Sequence, residues 1–108
     1  MTFHATSGTS GGSAVITLSG DLTGEAAAAE FRGHVEQAVQ GAPRRLVLDV
    51  RRLPALTAAG LRCIAFAQQH LPPTAQIFVL GATPAFRETL RHGGLAGSVT
   101  LLDEQPRN

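Results

Sequence analysis

The chain contains no tryptophan, no tyrosine, no lysine and a single cysteine, Cys63. One cysteine cannot close an internal disulfide, which is compatible with a reducing compartment. Long hydrophobic runs are also missing. The longest uncharged stretch, Cys63 to Phe86, is interrupted by Gln68, Gln69, His70, Pro72, Pro73, Thr74 and Gln76, so no segment is expected to insert in a membrane. The first twenty residues hold neither Lys nor Arg nor an apolar block, so no secretory signal is expected there and a cytoplasmic location is. Charge of one sign is missing too: nine Arg against eight Asp plus Glu give +1, too balanced for a nucleic-acid partner.

What remains is 108 residues, 44% of them hydrophobic, which suits one domain over residues 1–108 with a core of its own. Ala14 to Gly20 (AVITLSG) is β-branched and apolar and predicts a strand. Phe3 to Ala5 predicts a short edge strand, and SGTSGGS at Ser7 to Ser13 an exposed turn or flexible loop. Thr23 caps a helix running to about Gln40, with Ala28, Phe31, Val35, Ala38 and Val39 on its apolar face. Leu46 to Val50 (LVLDV) is so nearly continuous in aliphatic residues that it reads as a central strand covered on both faces.

A second helix lies within Leu56 to Leu71, with Leu61, Ile64, Ala65, Gln68 and Leu71 as its buried stripe. Its remaining side is unusually apolar. Cys63, Phe66 and Ala67 there are covered by neighbours or form a contact surface, and core packing is the preferred reading. Ala75 to Gly81 is another strand. Thr83 and Pro84 start a short helix that ends at Gly93-Gly94, SVTLLDE from Ser98 is a last strand, and QPRN is a polar tail. The order β, β, α, β, α, β, α, β implies an α/β fold with right-handed crossovers.

Catalysis finds no constellation to stand on. His4, His34, His70 and His92 are dispersed, which leaves metal binding without its usual spacing. Cys63, early in a helix, is read as a core or interface thiol rather than a nucleophile, because no base can be placed beside it. Asp21 and Asp49 lie near strand ends without a demonstrable pairing. No glycine-rich phosphate loop precedes a helix, and Ser10 and Ser13 have no identifiable base. The protein is therefore expected not to be an enzyme and to need no cofactor. Arg44, Arg45, Arg51, Arg52 and Arg62 against Asp49 give a local balance of +4, which suits an acidic protein, a phosphate or, least of these for want of interleaved aromatics, RNA, or else a solvated rim.

Three stretches carry a family resemblance: GDLTGEAAAAEF at Gly20 to Phe31, RRLVLDVRRLPALTAAGL at Arg44 to Leu61, and LRHGGL at Leu90 to Leu95. Their order and spacing resemble the signatures of STAS domains, the bacterial anti-sigma factor antagonists, or anti-anti-sigma factors, and their relatives. The resemblance implies a mixed four- to five-stranded sheet with about three helices. It also implies regulation of transcription through an anti-sigma factor with a kinase-type domain. Phospho-switched members carry an acceptor Ser just before the glycine of an Asp-Ser-Ser-Gly type loop. That loop here is Thr57-Ala58-Ala59-Gly60, so the acceptor position is Ala59, which has no hydroxyl. The family's acidic positions in the same loop and in its Gly-x-Leu-Asp turn are Thr57 and Thr23. Thr57 is read as a helix cap rather than a substitute acceptor.

The expected partner surface comprises Thr23, Thr57, Ala58, Ala59, Gly60, Leu61, Arg62, Cys63 and Phe66, acting without the Ser switch. A rival reading is a STAS domain that senses a small ligand or docks on a transporter subunit through the apolar face from Cys63 to Ala67. The short sequence after SVTLLDE leaves no expectation of the family's C-terminal helix.

Overall fold

Strand β1 (His4–Ser10) and strand β2 (Ser13–Ser19) form an antiparallel hairpin in the computed structural model, which describes residues 2–102. Helix α1 (Gly24–Gln40), strand β3 (Arg45–Arg52), helix α2 (Ala58–His70), strand β4 (Gln76–Leu80), helix α3 (Pro84–His92) and strand β5 (Thr100–Leu102) follow. The five strands lie in sequence order in one sheet, and β2 through β5 are mutually parallel. This is the expected α/β order, with five strands and three helices. The tail and the question of a C-terminal helix lie outside the described residues.

The first departure from expectation is the hairpin. SGTSGGS is strand up to Ser10, and Gly11 and Gly12, at φ of 56° and 87°, make a two-residue turn that pairs Ser10 with Ser13. Two successive positive φ values match the right-handed twist of the flanking strands, and glycine adopts them without steric penalty. The polar composition of the segment reflects an edge strand whose outer residues all face water.

Sequential strand order with crossovers of one hand puts every helix on the same face of the sheet. Burial follows that rule. Ala14, Ile16 and Leu18 of β2, Leu46, Leu48 and Val50 of β3, and Ile77 and Val79 of β4 are buried in one cluster with Phe31, Val35, Ile64, Phe86 and Leu90 from the helices. The intervening Val15, Val47, Phe78 and Leu80 are only half-buried. So β3 is central but is covered on one face rather than two.

Phe31, Val35, Ile64 and Leu71 are buried as expected, and Cys63 and Ala67 pack in the core as preferred, but both longer helices differ in part from expectation in the face they bury. In α1 the buried residues are Ala27, Phe31 and Val35, while Ala28, Ala38 and Val39 are half-buried at the margin. In α2 they are Gly60, Cys63, Ile64 and Ala67, with Ala65 half-buried and Gln68 exposed. The α2 stripe is turned by one residue, about 100° at 3.6 residues per turn. The physical cause is α1, which lies alongside α2. Small side chains at 63 and 67 let the helices approach, and the Cys63 sulfur reaches to 3.7 Å from the Ala28 carbonyl oxygen.

Candidate functional site

Strand β3 delivers the chain to the loop that the sequence singles out. Leu53 and Leu56 plug it into the core, and α2 starts behind Thr57, whose hydroxyl accepts a hydrogen bond from the Gly60 amide at 3.2 Å. That bond satisfies one of the amides left without a partner in the first helical turn. Gly60 is buried, and a Cβ placed on it would lie 2.8 Å from Leu56 Cδ1 and closer still to Leu22 Cδ2. Glycine is needed here for close approach.

The Gly60–Leu22 contact has a consequence for the surface. Leu22 immediately precedes Thr23, so the turn before α1 and the loop before α2 are pinned together at the carboxyl end of the parallel strands. In open α/β sheets this is the end where loops build sites. Thr23 is exposed and occupies the N-cap position of α1, but its side chain makes no cap hydrogen bond. Ala58 is exposed and Ala59 half-buried, at the first and second positions of α2.

Further along α2, Arg62 is exposed, while Leu61 is half-buried against Gly93 at the end of α3. Phe66 is half-buried under the Arg32 guanidinium, 4.7 Å from the ring centroid, and stacks on His70 at 4.1 Å. Arg32 in turn pairs with Glu36 at 3.1 Å. Cys63 departs from the expected contact surface: only 5% of it is exposed, and its thiol turns inward to α1. Burial pushes the thiol pKa up, against the opposing influence of Arg32 and Arg62, and so keeps it protonated. A protonated, buried thiol is a packing group.

The structure therefore brings Thr23, Thr57, Ala58, Ala59 and Gly60 together and continues them along α2 through Arg62 and Phe66. Leu22, Arg32 and His70 belong to the same region and were not signalled by sequence. Arg32 and His70 reach Phe66 from another helix and from the next turn of α2, and only the packing of α1 on α2 makes that visible.

The five arginines do not form one patch. Arg44 and Arg45 precede or open β3 and Arg51 and Arg52 close it, so the two pairs are separated by roughly 20 Å of extended chain. Arg62 stands apart on α2. Asp49 is buried and held by Arg51 through bonds of 2.9 and 2.7 Å, with the Arg51 amide adding a third at 3.2 Å. The Arg51 side-chain hydrogen bond dominates, outweighing burial, and holds the Asp49 carboxyl below the usual carboxylate range. An ionised, fully bonded carboxylate is poorly suited to act as a base. Among the described residues, no three of His, Cys, Asp and Glu gather as metal ligands, and no helix is long and apolar enough to cross a membrane.

Residues 5–103 match a family model described as "Mlab, STAS domain". Among solved structures the chain is similar to an anti-sigma factor antagonist from Mycobacterium paratuberculosis, at 22% identity over 94% of this chain and 86% of that one, with a TM-score of 0.82. It is also similar to the anti-sigma factor antagonist SpoIIAA in its unphosphorylated form, at 18% identity over 95% and 90% of the two chains, with a TM-score of 0.79. The phosphorylated form of the Bacillus cell fate determinant SpoIIAA is similar at 20% identity over 97% and 93%, with a TM-score of 0.72. No curated protein matches.

Proposed function

The chain belongs to the STAS domain family, matched over residues 5–103, and from that premise we propose that it is a regulatory binding domain of the anti-sigma factor antagonist kind, not an enzyme. Its partner is an anti-sigma factor with a kinase-type domain, in the bacterial cytoplasm. The partner docks on the turn at Thr23, the Thr57–Gly60 loop and the outer face of α2 at Leu61, Arg62 and Phe66. The observation that carries this reading is the Gly60–Leu22 contact, which makes the turn and the loop one continuous surface.

The same surface lacks a phosphoryl acceptor at its centre. A phosphate at the second position of a helix would bring a charge of about −1.5 to −2 among the free amides of the first turn, and would change what can dock there. Ala59 offers no oxygen to receive it. Thr57 has a hydroxyl, but its oxygen is engaged in capping α2 by accepting from the Gly60 amide, and it lies two residues before the matched acceptor position. The protein therefore holds its partner constitutively.

A pull-down from the native cell tests this, with wild type beside Ala59→Asp and Phe66→Ala, each with and without ATP and each checked for a native melting transition. An anti-sigma kinase held by wild type irrespective of ATP and lost by folded Ala59→Asp supports the proposal. Recovery of a transporter subunit or a bound small ligand in its place retires the sigma-pathway function in favour of the rival reading.

A further inference from the structure

We propose that the helix-free face of the sheet is a second docking surface, and that its occupant is an acidic amphipathic helix of a partner protein. The face is opposite α2, and the proposal does not depend on the anti-sigma reading.

The register defines this surface. Val15, Val47, Phe78 and Thr100 are lateral neighbours in one row, and Thr17, Asp49, Leu80 and Leu102 in the next. Five of these eight are apolar. Val15, Val47, Phe78 and Leu80 are half-buried without a covering layer, and Leu102 is 40% exposed. Parallel sheets almost always have both faces covered, because their crossovers put helices there. Here every crossover lies on one side, so the strands carry the aliphatic content of a two-sided sheet while the fold supplies only one layer.

Charge selects the occupant. Arg45 borders the patch at one end, bonded to Ser13 Oγ at 3.2 Å, and Arg51 and Arg52 border it at the other. Asp49 is the only carboxylate on this face among the described residues, and Arg51 already binds it. A second copy of this chain would set the cationic margins against each other with no acid among the described residues of the face, beyond the Arg51-bound Asp49, to receive them. A lipid surface is less suited: juxtamembrane lipid recognition uses clusters of about 4–8 basic residues, and embedding the face in hydrocarbon would bury the Asp49–Arg51 pair. A helix with an apolar stripe and Glu or Asp on its flanks can cover Val47, Phe78 and Leu80 while its acids meet Arg45 and Arg52 at a wet rim.

The experiment titrates isotope-labelled protein with a synthetic peptide of about 18 residues, five helical turns, carrying a Leu stripe with Glu flanks. The same peptide with Lys flanks and vesicles containing phosphatidylglycerol serve as the other two arms. The expected result is saturable amide shifts at Val15, Val47, Phe78 and Leu80 with the Glu peptide only. Affinity should fall at least about tenfold in the Arg45→Glu/Arg52→Glu double variant, both sites being exposed. Equal binding of the Lys peptide overturns the proposal, as do shifts confined to α1 and α2. Sedimentation with vesicles, or concentration-dependent broadening of the same amides without peptide, overturns it in favour of a membrane or a second copy.

Discussion

At Gly60 the space for one methyl group decides whether two loops meet. The positions a Cβ would need are taken by Leu22 and Leu56, which are themselves buried and have little room to withdraw. Alanine would gain about 1 kcal/mol of helix propensity but lose roughly 1–3 kcal/mol to overpacking. Gly60→Ala is therefore expected to lower stability by about 1 kcal/mol in urea titration. Gly33, exposed on α1 with nothing within 4 Å of the place a methyl would occupy, gives the opposite sign: Gly33→Ala should gain about 0.5–1 kcal/mol. A loss at Gly33 or a gain at Gly60 would contradict this account. The glycine of the loop was legible from the family resemblance, but Leu22 and Leu56 as its reason were not, because they approach from separate segments.

Asp49 makes a residue-scale prediction about pH. Its folded pKa lies below the ordinary value, first because Arg51 hydrogen-bonds the carboxylate. A depressed folded pKa contributes stability that is present above the unfolded value of about 3.9 and is lost as pH falls through the folded value. Urea midpoints should therefore drop below about pH 4 in wild type, and Asp49→Asn should show a shallower drop over that window. Identical acid limbs in the two proteins would show that the pair contributes no differential protonation. Sequence placed Asp49 near a strand end without a demonstrable pairing; the two-residue offset to Arg51 puts both on one face of β3 and supplies the partner.

At the scale of elements, the three helix caps look alike in sequence and differ in structure. Thr57 accepts from the Gly60 amide, whereas Thr83 accepts from the Phe86 amide at 3.1 Å and also donates to the Pro54 carbonyl at 2.7 Å. Thr23 makes no cap bond. Alanine should therefore cost about 1 kcal/mol at Thr57, up to about 2 at Thr83 and only a few tenths at Thr23, read from denaturation midpoints. Equal costs at all three would mean that position alone sets the effect. Cap residues and the order of elements were legible because they are local. The face α2 buries was legible only in part, since Leu, Ile, Cys, Phe and Ala surround that helix and the stripe through Leu61, Ile64 and Ala65 competes with the apolar side at Cys63 and Ala67. Only the neighbouring α1 chooses among them, and it chooses the small residues.

For the whole molecule, the pattern of strands and helices determined the class of fold but left the strand order open. A sheet wound in both directions would have covered β3 twice; the order β1 to β5 winds in one direction and leaves an open face. The order also grades stability across the sheet. Strand β3 is paired on both sides and contributes Leu46, Leu48 and Val50 with no exposed surface, whereas β1 is paired on one side and buries only Ala5. Local opening follows such differences in burial and pairing, with edge segments exchanging through small fluctuations and central ones only through global unfolding. Native-state hydrogen exchange should therefore find β3 amides at least about a hundredfold slower than those of β1 near the Gly11-Gly12 turn. The loop at Thr57 to Gly60 hangs from the end of β3, so slow exchange there would mean that the proposed docking surface is carried by the least mobile strand and is held ready without a partner. If β1 proves as protected as β3, the hairpin is part of the same cooperative unit, and this graded stability must be abandoned.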